Sequence, residues 1–182
     1  MTKSELYLTL KADDVRFGNY KPNIKDYILR NEVWYIYHYI RYLRYVDYYR
    51  KKGGVYFLLY IYYFIKYKRL SFKLHFTIYP GTIGPGFRIY HVGGFTHVGR
   101  NVRIGKNCTM LPGVVFGNKT ENEDIGFVSV GDNCYIGLNA KILGPVQIGN
   151  NVVIGANSVV TKSIPDNVVV AGCPARIIKY RK

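Results

Sequence analysis

The stretch "VSVGDNCYIGLNAKILGPVQIGNNVVIGANSVV", residues 128–160, decides the fold. An aliphatic residue returns every six positions, at Val130, Ile136, Ile142, Ile148, Ile154 and Val160, and glycine follows four of these anchors. Upstream, Val98, Ile104, Met110 and Phe116 keep the same period, and Ile83 and Ile89 begin it. Two residues before most anchors stands a small or β-branched residue, among them Thr96, Cys108, Val114, Cys134, Ala140 and Ser158. Side chains at i and i−2 share one face of a strand, so anchor and neighbour can both point inward. Three residues after many anchors comes asparagine (Asn101, Asn107, Asn133, Asn139, Asn151, Asn157), a residue that tolerates left-handed backbone in turns. A short strand and a turn every six residues predicts a parallel β-helix, in which each turn of chain is stable only when stacked on the next.

Away from the repeat the composition changes. Residues 1–70 hold 15 of the 19 tyrosines and only 3 of the 19 glycines. Within them, "NEVWYIYHYIRYLRYVDYYRKKGG" offers Asn31 as a cap, a stripe of Val33, Ile36, Tyr37, Ile40 and Leu43 at helical spacing, and Gly53 and Gly54 as a stop. A second helix is expected from Val55 to about Arg69. The expected organisation is therefore a helical, basic, Tyr-rich region over 1–70, a β-helix over 71–164 and a C-terminal tail over 165–182.

The net charge of +15 suits a phosphate-bearing ligand, an anionic membrane face or nucleic acid. Nucleic acid is not expected, since no motif for it accompanies the charge. The aromatic, basic hairpin reads either as a packing cap or as a surface resting on anionic lipid. Its most apolar run, "VYFLLYIYYFI" (55–65), is far short of the about 20 residues that span a bilayer. The opening residues lack the apolar core and cleavage site of a signal peptide, and three scattered cysteines form no disulfide framework, so a reducing cytoplasm is expected. Cys108 and Cys134 fall on inward positions of the repeat, where packing explains them, and no metal site is indicated.

The beat fails twice, between Ile89 and Val98 and between Phe116 and Val130. Relative to a multiple of six, the first break adds three residues and the second two. Loops extruded from a rigid solenoid are where function is placed. The first carries "YHVGGFTH", in which His91 is the candidate general base, because an imidazole titrates near neutral pH, at about 6.5. His97, one residue before an anchor, is the secondary candidate. His38 and His75 lie outside the breaks and read as structural. Gly93 and Gly94 would let backbone approach a ligand or steady an oxyanion.

"FTIYPGTIGPGFRIYHVGG" (76–94) and "IGLNAKILGPVQIGNNVVIGANSVVTKSIPDNVVVAGCPARII" (136–178) resemble the hexapeptide-repeat acyltransferases, in their serine acetyltransferase branch. The resemblance implies a left-handed β-helix of three hexads per turn, hence about four turns, preceded by α-helices. It implies direct acetyl transfer from acetyl-CoA to a hydroxyl by His91, in a homotrimer, with a dimer of trimers left open. It places coenzyme A against Gly137, Leu138, Gly155 and Ala156, with Lys162 and Arg176 for its phosphates and Lys119 also among the cofactor-binding residues.

Where serine acetyltransferases carry an aspartate before the catalytic histidine, another in the preceding turn and a second histidine in the long loop, this chain has Tyr90, Thr77 and Phe127. A zwitterionic acceptor would lack charged partners there. Arg88, Tyr90 and Phe127 instead suit a sugar, and the short basic leader is similar to capsule and lipopolysaccharide O-acetyltransferases. The expected acceptor is therefore a hydroxyl of a surface-polysaccharide sugar or its lipid-linked precursor, at the inner membrane face. Serine O-acetylation, amino-sugar N-acetylation and a non-catalytic scaffold are the alternatives. A backbone carbonyl, or Glu121, Glu123 or Asp124 from a neighbouring subunit, is expected to orient His91.

Overall fold

A computed structural model describes residues 1–119 and 126–181. Four helices come first: α1 (Lys3–Arg16), α2 (Ile24–Ile28), α3 (Glu32–Tyr49) and α4 (Tyr56–Leu74). Local chemistry sets their ends. The Thr2 hydroxyl accepts from the Glu5 amide while Glu5 takes the Thr2 amide, a reciprocal cap that satisfies two helix-end donors. The Asn31 side chain caps α3 through the Val33 amide. With no glycine or proline to stop it, α4 passes the expected boundary at residue 70 and ends only where His75 turns left-handed, at φ 58°.

The expected stripe of α3 is buried at Ile36, Tyr37, Ile40 and Leu43, and Tyr39 joins them. Tyr39 and Tyr67 bind these helices to the strands below. The Tyr39 hydroxyl accepts from the Ile78 amide at 3.2 Å, and the Tyr67 hydroxyl donates to the Ile78 carbonyl at 2.7 Å.

The hexads wind into a three-faced parallel β-helix. One face stacks β1 (Phe76–Ile78), β3 (Thr96–Val98), β6 (Val115–Asn118), β9 (Lys141–Gly144) and β12 (Val159–Val160). The second stacks β4 (Val102–Ile104), β7 (Val128–Val130) and β10 (Val146–Ile148), prolonged at either end by bridges from Ile83 to Ile104 and from Ile148 to Ile164. The third stacks β2 (Arg88–Ile89), β5 (Thr109–Met110), β8 (Tyr135–Ile136), β11 (Val153–Ile154) and β13 (Val168–Ala171), and β14 (Arg176–Tyr180) closes it antiparallel to β13. The turns number five rather than four, because β1 before the first anchor, the Ile164 bridge after the last, and β13, in the segment expected to be a tail, add three rungs. Ile89, Val98, Met110, Ile136, Ile142 and Ile154 are wholly buried, with Thr96, Cys108, Ala140 and Ser158 beside them.

Pairing partners measure the breaks. A regular turn takes 18 residues, as in Val128 to Val146 and Lys141 to Val159. Arg88 pairs with Thr109, 21 residues on, so the first break is the expected three-residue excess. Val102, Thr109 and Val115 each pair 26 residues on, so the second break adds eight residues to one turn rather than two. The expectation of two assumed that part of the break would form another rung, whereas the pairing register places all eight extra residues within one turn. Asn107, Asn133, Asn139, Asn151 and Asn157 adopt left-handed backbone as expected. Asn101 differs: its amide donates to the Gly126 carbonyl at 2.8 Å and so ties down the far end of the second break.

Candidate active site

Directly after β2 the chain leaves the solenoid through Tyr90, His91, Val92, Gly93 and Gly94 and returns at β3. Three of these residues have positive φ: His91 at 65°, Gly93 at 121° and Gly94 at 67°. The value at Gly93 is open to glycine but strained for any side chain. Gly94 also lies against the next turn, where an added Cβ would sit 3.2 Å from Gly113 Cα.

The turn aims His91 at the helical region. Nδ1 lies 2.8 Å from Glu32 Oε1, and the other carboxylate oxygen accepts the Val92 amide at 3.2 Å. Glu32 opens α3, where the positive end of the helix dipole favours a carboxylate. A carboxylate only accepts, so the proton between them belongs to Nδ1 and Nε2 keeps its lone pair. Base and orienting carboxylate make the arrangement used to activate hydroxyl nucleophiles. Glu32 thus takes the orienting role sought in a backbone carbonyl or in Glu121, Glu123 and Asp124, three residues that lie outside the described ones. It was not readable from sequence, since nothing in the spacing joins positions 32 and 91; the one signal was an acid directly after the Asn31 cap.

The His91 side chain is 69% exposed at the rim of a hollow of about 410 Å³, formed with Gly93, Gly94, Leu111, Leu138 and Asn139. Exposure weakens this hydrogen bond to the carboxylate but not its directional effect. Glu32→Gln should therefore lower turnover by about ten- to a hundredfold, less than the about 10⁴-fold known for a buried triad carboxylate. Steady-state kinetics check this, with kcat falling and KM unchanged.

The other expected site residues divide. Tyr90 is exposed beside His91, whereas Arg88 is buried beneath it, its guanidinium 3.7 Å from the Phe17 ring centroid and 4.8 Å from that of Tyr90. Burial holds the Arg88 guanidinium below its ordinary value. Arg88 therefore supports Tyr90 rather than facing an acceptor. Phe127 is exposed but lies away from His91 in the same chain, against Arg103 at 5.7 Å.

His97 stacks on Phe95, and burial pushes its imidazole down. It does not line the His91 hollow. The buried thiols Cys108 and Cys134 stack on successive turns, the Cys134 amide reaching the Cys108 sulfur at 3.4 Å. No group of three metal-binding side chains occurs among the described residues.

Gly137–Leu138 and Gly155–Ala156 stack on successive turns, the Gly137 amide donating to the Ile154 carbonyl and the Asn157 amide to that of Leu138. An added Cβ at Gly137 would meet the Ala156 nitrogen at 2.6 Å, so the two turns stack here backbone against backbone. Leu138 also lines the His91 hollow, which makes the edge continuous with it. Lys162 and Arg176 come together at a separate hollow of about 250 Å³. Lys119 is exposed beside the second break and joins neither group.

The family model described as the hexapeptide repeat of succinyl-transferase matches residues 96–120 and 127–162. A serine acetyltransferase of Staphylococcus xylosus is 41% identical over 103 residues, 56% of this chain and 47% of that protein. The chain spans about half the length of the curated relatives it matches. Among solved structures, the serine acetyltransferase of Neisseria gonorrhoeae superposes with a TM-score of 0.76 at 26% identity, over 99% of this chain and 67% of that one. That of Brucella abortus strain S19, in complex with coenzyme A, superposes with 0.72 at 30% identity, over 98% and 68%. These neighbours make the solenoid a left-handed parallel β-helix.

Proposed function

The chain belongs to the hexapeptide-repeat acyltransferase family, and from that premise we propose that it transfers the acetyl group of acetyl-CoA to an acceptor hydroxyl, with His91 as general base. The observation that carries this reading is the Glu32–His91 pair at the rim of the 410 Å³ hollow. Nε2 takes the hydroxyl proton as the oxygen attacks the thioester carbon. The oxyanion of the tetrahedral adduct is steadied by backbone of the Gly93–Gly94 loop. When the carbon–sulfur bond breaks, the leaving thiolate takes the proton back from the imidazolium, and the base is regenerated.

The coenzyme A bound by the Brucella relative supports acetyl-CoA as donor. The exposed edge at Leu138 and Ala156, where Gly137 and Gly155 let the turns stack closely, suits its pantetheine arm, and Lys162 with Arg176 suits its phosphates. Use of acetyl-CoA makes the cytoplasm the proposed location. The proposed assembly is a homotrimer, which the hexapeptide-repeat family supports.

The relatives named above are serine acetyltransferases rather than enzymes of capsule or lipopolysaccharide assembly, and this supports the serine hydroxyl over the sugar hydroxyl expected from sequence. A sugar remains the second reading on one observation. Glu32, the carboxylate beside His91, is already engaged by the imidazole and the Val92 amide, and the exposed neighbour is the aromatic ring of Tyr90. Release of free coenzyme A, measured with serine, neutral sugars, sugar phosphates and amino sugars, separates the readings. Serine should give the largest kcat/KM. Turnover with a sugar alone establishes the second reading, and no release with any acceptor returns the protein to the scaffold alternative.

A further inference from the structure

Beside the α3–α4 hairpin lies a basic hollow that shares no lining residue with the one at His91. It measures about 500 Å³ and takes Arg50, Lys68, Arg100 and Arg103 among aromatic rings that include Tyr79 and Phe64. Asp47 pairs with Arg50 at 2.9 Å, and the next acid in the chain is Glu121. Arg100 stacks over Tyr79 at 4.9 Å, and Arg103 donates to the Arg100 and Val102 carbonyls, so both guanidiniums are held in place. Confined cations facing one acid repel one another unless an anion joins them, and guanidiniums suit the oxygens of a phosphate.

A second hollow of about 450 Å³, formed by Phe64, Ile65, Lys68, Arg69 and Phe72, shares Phe64 and Lys68 with the first. Its apolar wall continues along the exposed face of α4, where Leu58, Ile61, Ile65 and Phe72 stand at helical spacing, Phe72 being 87% exposed. A helix with an apolar stripe bordered by lysine and arginine suits a lipid interface. No helix among the described residues is long and apolar enough to cross a membrane.

We propose that these joined hollows seat an anionic phospholipid of a membrane surface, its phosphate among Lys68, Arg100 and Arg103 and its hydrocarbon against Ile65 and Phe72. A soluble phosphate would fill the basic hollow but leave the apolar stripe in water. A second copy of this chain would bring one cationic face against another. The inference does not rest on acetyl transfer and is tested without donor or acceptor present.

Sedimentation with phosphatidylcholine vesicles containing phosphatidylglycerol should bring the full chain down, and phosphatidylcholine alone should not. The variant Lys68→Gln/Arg100→Gln/Arg103→Gln should weaken binding about a hundredfold, at about tenfold or less per cation near an anionic surface. Lys25→Gln/Lys106→Gln/Lys179→Gln, which removes equal charge elsewhere, should change it less than about threefold, the residual effect of net charge on a long-range field. Ile65→Ser/Phe72→Ser, confined to exposed positions, should weaken binding at least about tenfold through lost apolar burial. Equal losses in the two charge variants would reduce the effect to net charge and overturn the site. Stabilisation by inorganic phosphate with no vesicle binding would overturn the lipid in favour of a soluble ligand. Dissociation of the oligomer by Ile65→Ser/Phe72→Ser, with vesicle binding intact, would assign the face to a second copy.

Discussion

Replacing His91 with alanine is expected to slow acetyl transfer by about 10²- to 10⁴-fold, the range that a positioned general base contributes. The fall should lie in kcat, because the imidazole is proposed to act on the acceptor proton, while the proposed donor contacts run along Gly137, Leu138, Gly155 and Ala156. The side chain is 69% exposed, so its removal leaves no cavity, and the melting temperature should hold within the range of a surface substitution. A free-thiol assay under saturating acetyl-CoA measures the effect. Unchanged release would remove His91 from the mechanism, and a fall in melting temperature matching the loss of activity would make its role structural. The double variant Glu32→Gln/His91→Ala adds a further check. If Glu32 acts through the imidazole, it should be no slower than His91→Ala alone, because residues that act as one unit are not additive.

The fold was legible because the β-helix is periodic at the scale of a few residues. An inward Ile136 and a left-handed Asn139 are each required by their own hexad, and twelve repetitions leave little room for another arrangement. The site was only half legible, for a related reason. His91 stands out because it interrupts the period, but Glu32 belongs to a helix whose own rules explain it as a favourable first-turn acid. Nothing local says that the end of α3 is brought to the first break. That is decided by contacts between helices and solenoid, such as Tyr39 and Tyr67 on Ile78, which the sequence pattern does not index. The size of the second break was misread for the opposite reason: counting to the nearest multiple of six assumes that every hexad forms a rung. Arg88 suits a sugar by its guanidinium alone, whereas the ring of Phe17, which caps α1, covers it.

The same placement of helices on the solenoid depends on one buried ion pair, and Arg44→Met should destabilise the protein by about 3–5 kcal/mol, the cost of removing one partner of such a pair. Arg44, in α3, reaches Asp13, in α1, through Nε at 2.9 Å and Nη2 at 3.2 Å, and donates to the Ile83 and Gly84 carbonyls at 2.6 Å each. Asp13 also accepts the Gly86 and Phe87 amides, so two helices and the first turn of the β-helix meet at this pair. Methionine fills much of the arginine volume but leaves two carbonyls without their donor and a carboxylate without its cation. Burial already raises the Asp13 carboxyl above its ordinary value, opposed chiefly by Arg44. Without the guanidinium it should rise further. A carboxyl whose folded pKa exceeds its unfolded one is most stable below the unfolded value and loses that stability as pH climbs through the folded value. The deficit of Arg44→Met relative to the native chain should therefore be smallest in acid and widen toward neutral pH, which denaturant unfolding across that range would follow. A deficit that stays below about 1 kcal/mol would show that the pair is replaceable by packing alone, as some buried ion pairs are. Since α3 also carries Glu32, the variant should lose activity before it unfolds, as the end of α3 moves away from His91.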